Sequence, residues 1–183
     1  MDENNGKVVI TEDISGKKFV EEIIQRMRES NLISQDLKVD IDYGARPCRH
    51  KLTRIIKLYL TAPYILGKKK KPYNKVILLC DGDGNPGKVF DEVKDHVPKD
   101  LLDRVIIIVL DHEIEEWICT SLGIRWSFKP SKALDQYVRR NIKKDGYRKR
   151  DLPKYIKYLD INKLLNNSRS FKEFYNAIVN HKK

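Results

Sequence analysis

Apolar residues fall along this chain in two rhythms. Short unbroken runs occur at Lys7–Thr11 (KVVIT), Val76–Cys80 (VILLC) and Arg104–Leu110 (RVIIIVL). Runs of this length, rich in Val and Ile, predict strands buried on both faces of a parallel sheet. Leu37–Tyr43 instead alternates Leu37, Val39, Ile41 and Tyr43 with Lys38, Asp40 and Asp42, which predicts a strand nearer an edge. Between the strands the spacing changes to three and four. Phe19, Val20, Ile23, Ile24 and Met27 predict a helix from Gly16 to Glu29, with Ser15 or Asp13 as N-cap. Leu52, Ile55, Ile56, Tyr59 and Leu60 predict a second helix after a loop at Pro47. Further helices are predicted over Lys88–His96 and Glu113–Leu122, with Gly123 closing the latter. The lysines between Gly67 and Pro72 read as a basic loop. Strand and helix thus alternate, and the predicted fold is α/β: a largely parallel sheet of about four strands with flanking helices.

From Arg125 onward no strand pattern is found. Helices are expected over Lys132–Lys144, Leu152–Leu159 and Ser170–Asn180, the last opened by Ser170-x-x-Glu173 as a capping box. The expected organisation is an α/β domain over residues 1–124 and a helical extension over 125–183 packed on it. Charge follows the same division. Residues 1–124 hold 20 Lys and Arg against 21 Asp and Glu, whereas residues 125–183 hold 17 against 5. Within the first part, Arg46–Lys75 carries ten basic residues and no acid. A chain of 183 residues is long enough for a real core. No run reaches the roughly 18 apolar residues of a membrane span, and the polar start MDENNGK is unlike a secretory leader. Cys48, Cys80 and Cys119 are too scattered for a disulfide framework or a zinc site. They are expected to be small buried residues of a cytoplasmic protein.

Candidate chemistry sits at the ends of the predicted strands. Glu12 follows the first strand, Asp81 and Asp83 the third, and Asp111 the fourth. In a parallel sheet these ends point one way, and ligands of open α/β sheets bind just outside them. Beyond Asp111 come His112, Glu113 and Glu116, the two glutamates lying three apart on one helical face, with Glu115 off that face. Carboxylates this close repel one another. Mg²⁺ or Mn²⁺ relieves that, since such hard ions are held by one or two carboxylates together with phosphate oxygens. The plainer reading is a solvated turn with capping aspartates, and helix-dipole partners in Glu113 and Glu116. An acidic centre flanked by basic segments suits a polyanionic partner, DNA or RNA. Candidate backbone contacts are Arg46, Arg49, Arg54 and the run Lys68, Lys69, Lys70 and Lys71. In the tail they are Arg139, Arg140, Arg148, Lys149 and Arg150. A lysine-rich surface that serves only solubility remains the alternative.

A strand ending in Glu, followed later by a strand ending in Asp-x-Asp, resembles the Toprim superfamily. TEDISGKKFVEEII looks like its first motif, with Glu12 as the acid, and VILLCDGDGNPG looks like its Asp-x-Asp motif. DHEIEEW and SRSFKEFYNAI are similar to small Toprim-related prokaryotic proteins. Asp13 and Pro86 stand where that pattern has glycines. The resemblance implies a Toprim-like, Rossmann-like fold of the kind used by the overcoming-lysogenisation-defect nucleases. It implies that Asp81 and Asp83 hold Mg²⁺ (or Mn²⁺) and that Glu12 is a ligand or general acid/base. It further implies that Glu113 and Glu116 supply a second metal position, with Asp111 and His112 as supporting groups. The expected activity is then metal-dependent hydrolysis of phosphodiesters.

Other readings are weaker. DGDGNPGKVFDE nearly matches a calcium EF-hand loop, but Pro86 replaces its glycine and a strand precedes it. A haloacid-dehalogenase phosphatase also opens with Asp-x-Asp-Gly, but near its N-terminus and followed by Thr, where this chain has Asn85. No Walker A sequence occurs. A topoisomerase or a primase needs a further module for which there is no room. A non-catalytic nucleic-acid-binding or regulatory module is the rival from another class.

Overall fold

The computed structural model describes residues 6–45, 51–62, 64–65, 68–69 and 72–180, with 64–65 and 68–69 as backbone only. Its main sheet has four parallel strands: β1 (Lys7–Thr11), β2 (Val39–Tyr43), β5 (Lys75–Cys80) and β6 (Val105–Val109). Their order across the sheet is β2-β1-β5-β6. Two-residue strands β3 (Tyr64–Ile65) and β4 (Lys68–Lys69) form a separate antiparallel pair where a plain basic loop was expected. In register, Val9 of β1 lies beside Ile41 of β2 and Ile77 of β5, and Ile77 beside Ile106 of β6.

Period-two alternation sends side chains to two cores. Val9, Ile77, Leu79 and Ile108 face α1 (Ile14–Glu29) and α4 (Glu115–Leu122). Val8, Ile10, Val76, Leu78 and Cys80 face α2 (Lys51–Thr61) and α3 (Pro86–Lys94). All five residues of β1 are buried, as the run KVVIT predicts. RVIIIVL was expected to be buried throughout, but Val105, Ile106 and Ile107 are only half-buried. The reason is position: β6 is an outer strand of the sheet.

The helix ends follow local chemistry. Asp13 caps α1 by accepting from the Gly16 N–H at 2.8 Å, and Asn85 caps α3, whose first residue is Pro86. Proline suits that position because its missing N–H would have had no helical partner. After α4 come α5 (Pro130–Asn141), a 3₁₀ segment (Lys149–Tyr158), α6 (Ile161–Asn167) and α7 (Arg169–Val179). The α-helix expected over Leu152–Leu159 is 3₁₀, with Pro153 inside it and unable to donate a helical hydrogen bond. The cap of α7 is Ser168, accepting from the Phe171 N–H at 3.2 Å, rather than Ser170. Leu134 and Val138 of α5, Leu152 and Tyr155 of the 3₁₀ segment, and Phe171, Phe174 and Ile178 of α7 join Val9 and Trp117 in one continuous core. The last third of the chain therefore shares the core of the sheet. Buried Lys7 adds a polar tie, donating to the Ala177, Ile178 and Asn180 carbonyls at 3.0, 2.5 and 3.0 Å at the end of α7. Desolvation, and then repulsion from Lys75, lowers its pKa.

Candidate functional site

The strand order reverses at β1. From β1 the chain passes through α1, on one face, to β2; it then returns through α2, on the other face, to β5. Such a switch point opens a crevice outside the carboxyl ends of the two strands that flank it. Those strands are β1 and β5, and the residues that follow them are Glu12 and Asp81. The structure joins them directly: the Asp81 N–H donates to Glu12 Oε1 at 3.1 Å. Asp81 Oδ1 accepts from the Ile114 N–H at 3.2 Å, which ties the pair to the start of α4. A small cavity of about 10 Å³, lined by Glu12, Asp13, Asp81 and Lys149 among others, lies at this junction. That is room for about one water-sized group.

The turn after Asp81 is clamped to the turn after β6. The Gly82 and Asp83 N–H groups donate to the His112 carbonyl at 2.8 and 3.0 Å, and Gly84 N–H to the Asp111 carbonyl at 3.0 Å. Gly82 has no alternative here, since a Cβ would stand 1.9 Å from the Leu110 carbonyl oxygen. Asp83 is exposed and left-handed, at φ 48°. It therefore shares the turn with Asp81 but not its buried surroundings.

The wider acidic set does not assemble as expected. Glu113 Oε1 accepts from the Ser131 N–H at 2.7 Å and so serves the start of α5. Glu116 is buried, accepting from the His112 N–H at 3.0 Å and the Ser170 hydroxyl at 2.8 Å. Burial raises its pKa, while those hydrogen bonds pull it down. The Ser170 hydroxyl also accepts from Trp117 Nε1 at 3.0 Å, so Glu116 belongs to the α4–α7 contact. Asp111 is 61% exposed and pairs with Arg169 at 3.1 Å. Among the described residues, no three His, Cys, Asp or Glu side chains stand together as a metal-holding group.

Glu115 and Lys149 are the residues that sequence reasoning misplaced. Glu115 is fully buried. Its Oε1 accepts from the Tyr147 hydroxyl at 2.6 Å and its Oε2 from Lys149 Nζ at 3.0 Å. Lys149 also stands 4.0 Å from Asp13 Oδ2 and lines the cavity beside Glu12 and Asp81. Burial opposes its charge, but Glu115, Asp81 and Asp13 together hold the ammonium pKa above its ordinary value. Tyr147 is raised by burial and by Glu115. The one visible signal was the run HEIEEW, with three acids in six residues. Besides the small cavity, Lys149 lines an open groove of about 560 Å³ together with Glu113, Glu115, Ser131, Asp135 and Tyr147.

Asp81 carries a strongly perturbed carboxyl. Burial pushes its pKa to about 8; Lys149 opposes that rise, while Glu12, Glu115 and Glu113 add to it. Two adjacent carboxylates fit a hard divalent ion of the kind that completes its shell with water and phosphate oxygens. Glu12 and Asp81 match that donor set. Glu116 does not, because both of its oxygens already serve His112 and Ser170, and Glu113 is turned to the Ser131 N–H at the start of α5.

The basic candidates scatter. Arg148 and Arg150 are exposed on either side of half-buried Lys149, which is turned inward. Arg139 and Arg140 are exposed in the last turn of α5, Arg139 bonded to Asp135 at 2.9 Å. Arg54 is exposed on α2, on the opposite face of the sheet from Lys149. Lys68 and Lys69 form β4, with side chains outside the described part; Arg46, Arg49, Lys70 and Lys71 lie outside the described residues. No helix of the described residues is long and apolar enough to cross a membrane.

Fold and crevice together define an α/β protein with a four-stranded parallel sheet and an acidic centre at its switch point. No family model matches the chain, and neither a curated protein nor a solved structure matches it significantly.

Proposed function

We propose that this chain hydrolyses phosphodiesters of nucleic acid with a divalent cation, in the manner of small Toprim-type nucleases. The observation that carries the reading is the Glu12–Asp81 junction at the switch point, made by the two acids that the Toprim motifs single out. A bound Mg²⁺ or Mn²⁺ would supply charge stabilisation for the transition state and activate a water. The chain's own residues do the rest. Glu12 and Asp81 would hold the ion, or Glu12 would instead act as general acid/base on the attacking water. The Gly82–Gly84 turn, clamped on the β6–α4 turn, fixes Asp81 relative to α4. Asp83, exposed on that turn, is the third acid of this reading. Exposed Arg148 and Arg150, beside the centre in the chain, would meet the phosphate backbone.

The test is cleavage of end-labelled DNA and RNA, single- and double-stranded, with Mg²⁺ or Mn²⁺. The parent should cut. Glu12→Gln should be slower by roughly 10²–10⁴-fold, the range for loss of a positioned acid/base, with binding nearly unchanged. Equal cutting by both would remove Glu12 from the chemistry. Binding by the parent without cutting would favour the rival reading, a nucleic-acid-binding or regulatory module.

A further inference from the structure

Lys149 stands in the sequence as one of three consecutive basic residues, the pattern of a solvated phosphate-binding strip. Its neighbours Arg148 and Arg150 are indeed exposed. Lys149 is not used that way. Its ammonium is held 3.0 Å from Glu115, a carboxylate with no solvent exposure, and 4.0 Å from Asp13. Its side chain borders the 10 Å³ cavity that Glu12 and Asp81 also line. It lines the open groove as well.

We infer that Lys149 is a tethered counter-ion of the acidic centre: it supplies the positive charge there while no metal is bound, and a divalent cation must displace it to enter. The inference rests on the reading of Glu12 and Asp81 as the cation site. Three features support it. A cavity of about one water-sized group does not hold an ion and an adjacent ammonium without strong repulsion between them. Lys149 has somewhere to go, because its side chain is 38% exposed and the groove lies beside it. Glu115, fixed by the Tyr147 hydroxyl at 2.6 Å, keeps the lysine near whichever side it occupies. Lys149 would thus set the concentration of metal at which the site fills, acting as a positioning residue rather than a catalytic one.

Removing the lysine alone leaves Glu115 as a buried unpaired carboxylate, and such a variant is apt to unfold. The informative protein is the double variant Glu115→Gln/Lys149→Met, which deletes the pair together. Mn²⁺ alone is titrated into the full chain by calorimetry, with free ion followed by electron paramagnetic resonance. The double variant should bind Mn²⁺ at least tenfold more tightly than the parent, and Lys149→Arg, which keeps the charge, should not. Equal or weaker binding by the double variant overturns the inference. Glu12→Gln separates the two levels of the argument. If it abolishes Mn²⁺ binding while parent and double variant bind alike, the cation site stands and the counter-ion role of Lys149 falls. If neither parent nor double variant binds Mn²⁺, the cation site falls and this inference with it.

Discussion

Asp81→Asn isolates the charge stress of the centre. The substitution keeps an oxygen to accept from the Ile114 N–H and leaves the Asp81 N–H on Glu12 untouched. What it removes is a carboxyl whose pKa is raised from 3.8 to about 8, first by burial. The sign follows from linkage. A folded state that binds the proton more tightly than the unfolded chain is most favoured below the unfolded pKa. That advantage is lost as pH rises toward the folded pKa. At pH 7 the parent has crossed about three units of this window, and at 1.36 kcal/mol per unit it is destabilised by roughly 4 kcal/mol. In a domain of this size 1 kcal/mol moves Tm by about 2–4 °C, so the variant should melt roughly 8–16 °C higher at pH 7. At pH 4 the two should nearly coincide. The assay is a thermal melt in EDTA from pH 4 to 8.5. A variant that melts with the parent, or below it, at pH 7–8 would show that Asp81 does not carry the stress assigned to it.

Two further outcomes can be checked with simple variants. Arg148→Ala/Arg150→Ala should flatten the salt dependence of nucleic-acid binding by about 1.4 on single strands or 1.8 on duplex, two contacts' worth, without lowering Tm; an unchanged log–log slope removes both arginines from the footprint. Ser170→Ala strands the Trp117 indole N–H and one oxygen of Glu116, so it should cost about 2–4 kcal/mol and lower Tm by roughly 5–15 °C; a melt within 2 °C of the parent, read against roughly that scale, would deny Ser170 that part.

The sheet was legible because its strands differ in how they are buried. KVVIT and VILLC are continuous apolar runs, and they form the two inner strands, β1 and β5. The alternating VDIDY is at one edge, where Asp40 and Asp42 accept hydroxyl hydrogen bonds from Tyr73 and Tyr59. RVIIIVL broke the rule, since an apolar run on an outer strand is only partly covered. Asp13 as the cap of α1 was readable from local chemistry alone. Ser168 was missed because Ser168 and Ser170 both offer a hydroxyl ahead of the same helix. Tertiary contacts decide between them: Ser170 is drawn to Glu116 and Trp117, which lie more than fifty residues away in sequence.

The same distance in sequence explains why the site was half-seen. Glu12 and Asp81 each end a strand, so strand pattern plus parallel topology is enough to bring them together. Glu113, Glu115 and Glu116 sit at the start of α4, a helix covered by the sheet on one side and by the C-terminal helices on the other. For a helix so enclosed no face is solvent, and a count of three or four residues along the chain does not say which acid points at what. The basic charge of the tail reads as a surface property in the same way. Yet Lys149 is drawn inward because Glu115 is buried and its charge needs a partner. Part of the tail's charge thus stands against the acidic centre from within, while Arg148 and Arg150 remain exposed. The Glu115–Lys149 pair links the tail to the acidic centre, so any change to that pair is expected to be read out at Asp81, whose carboxyl feels Lys149 and Glu115 with opposite signs.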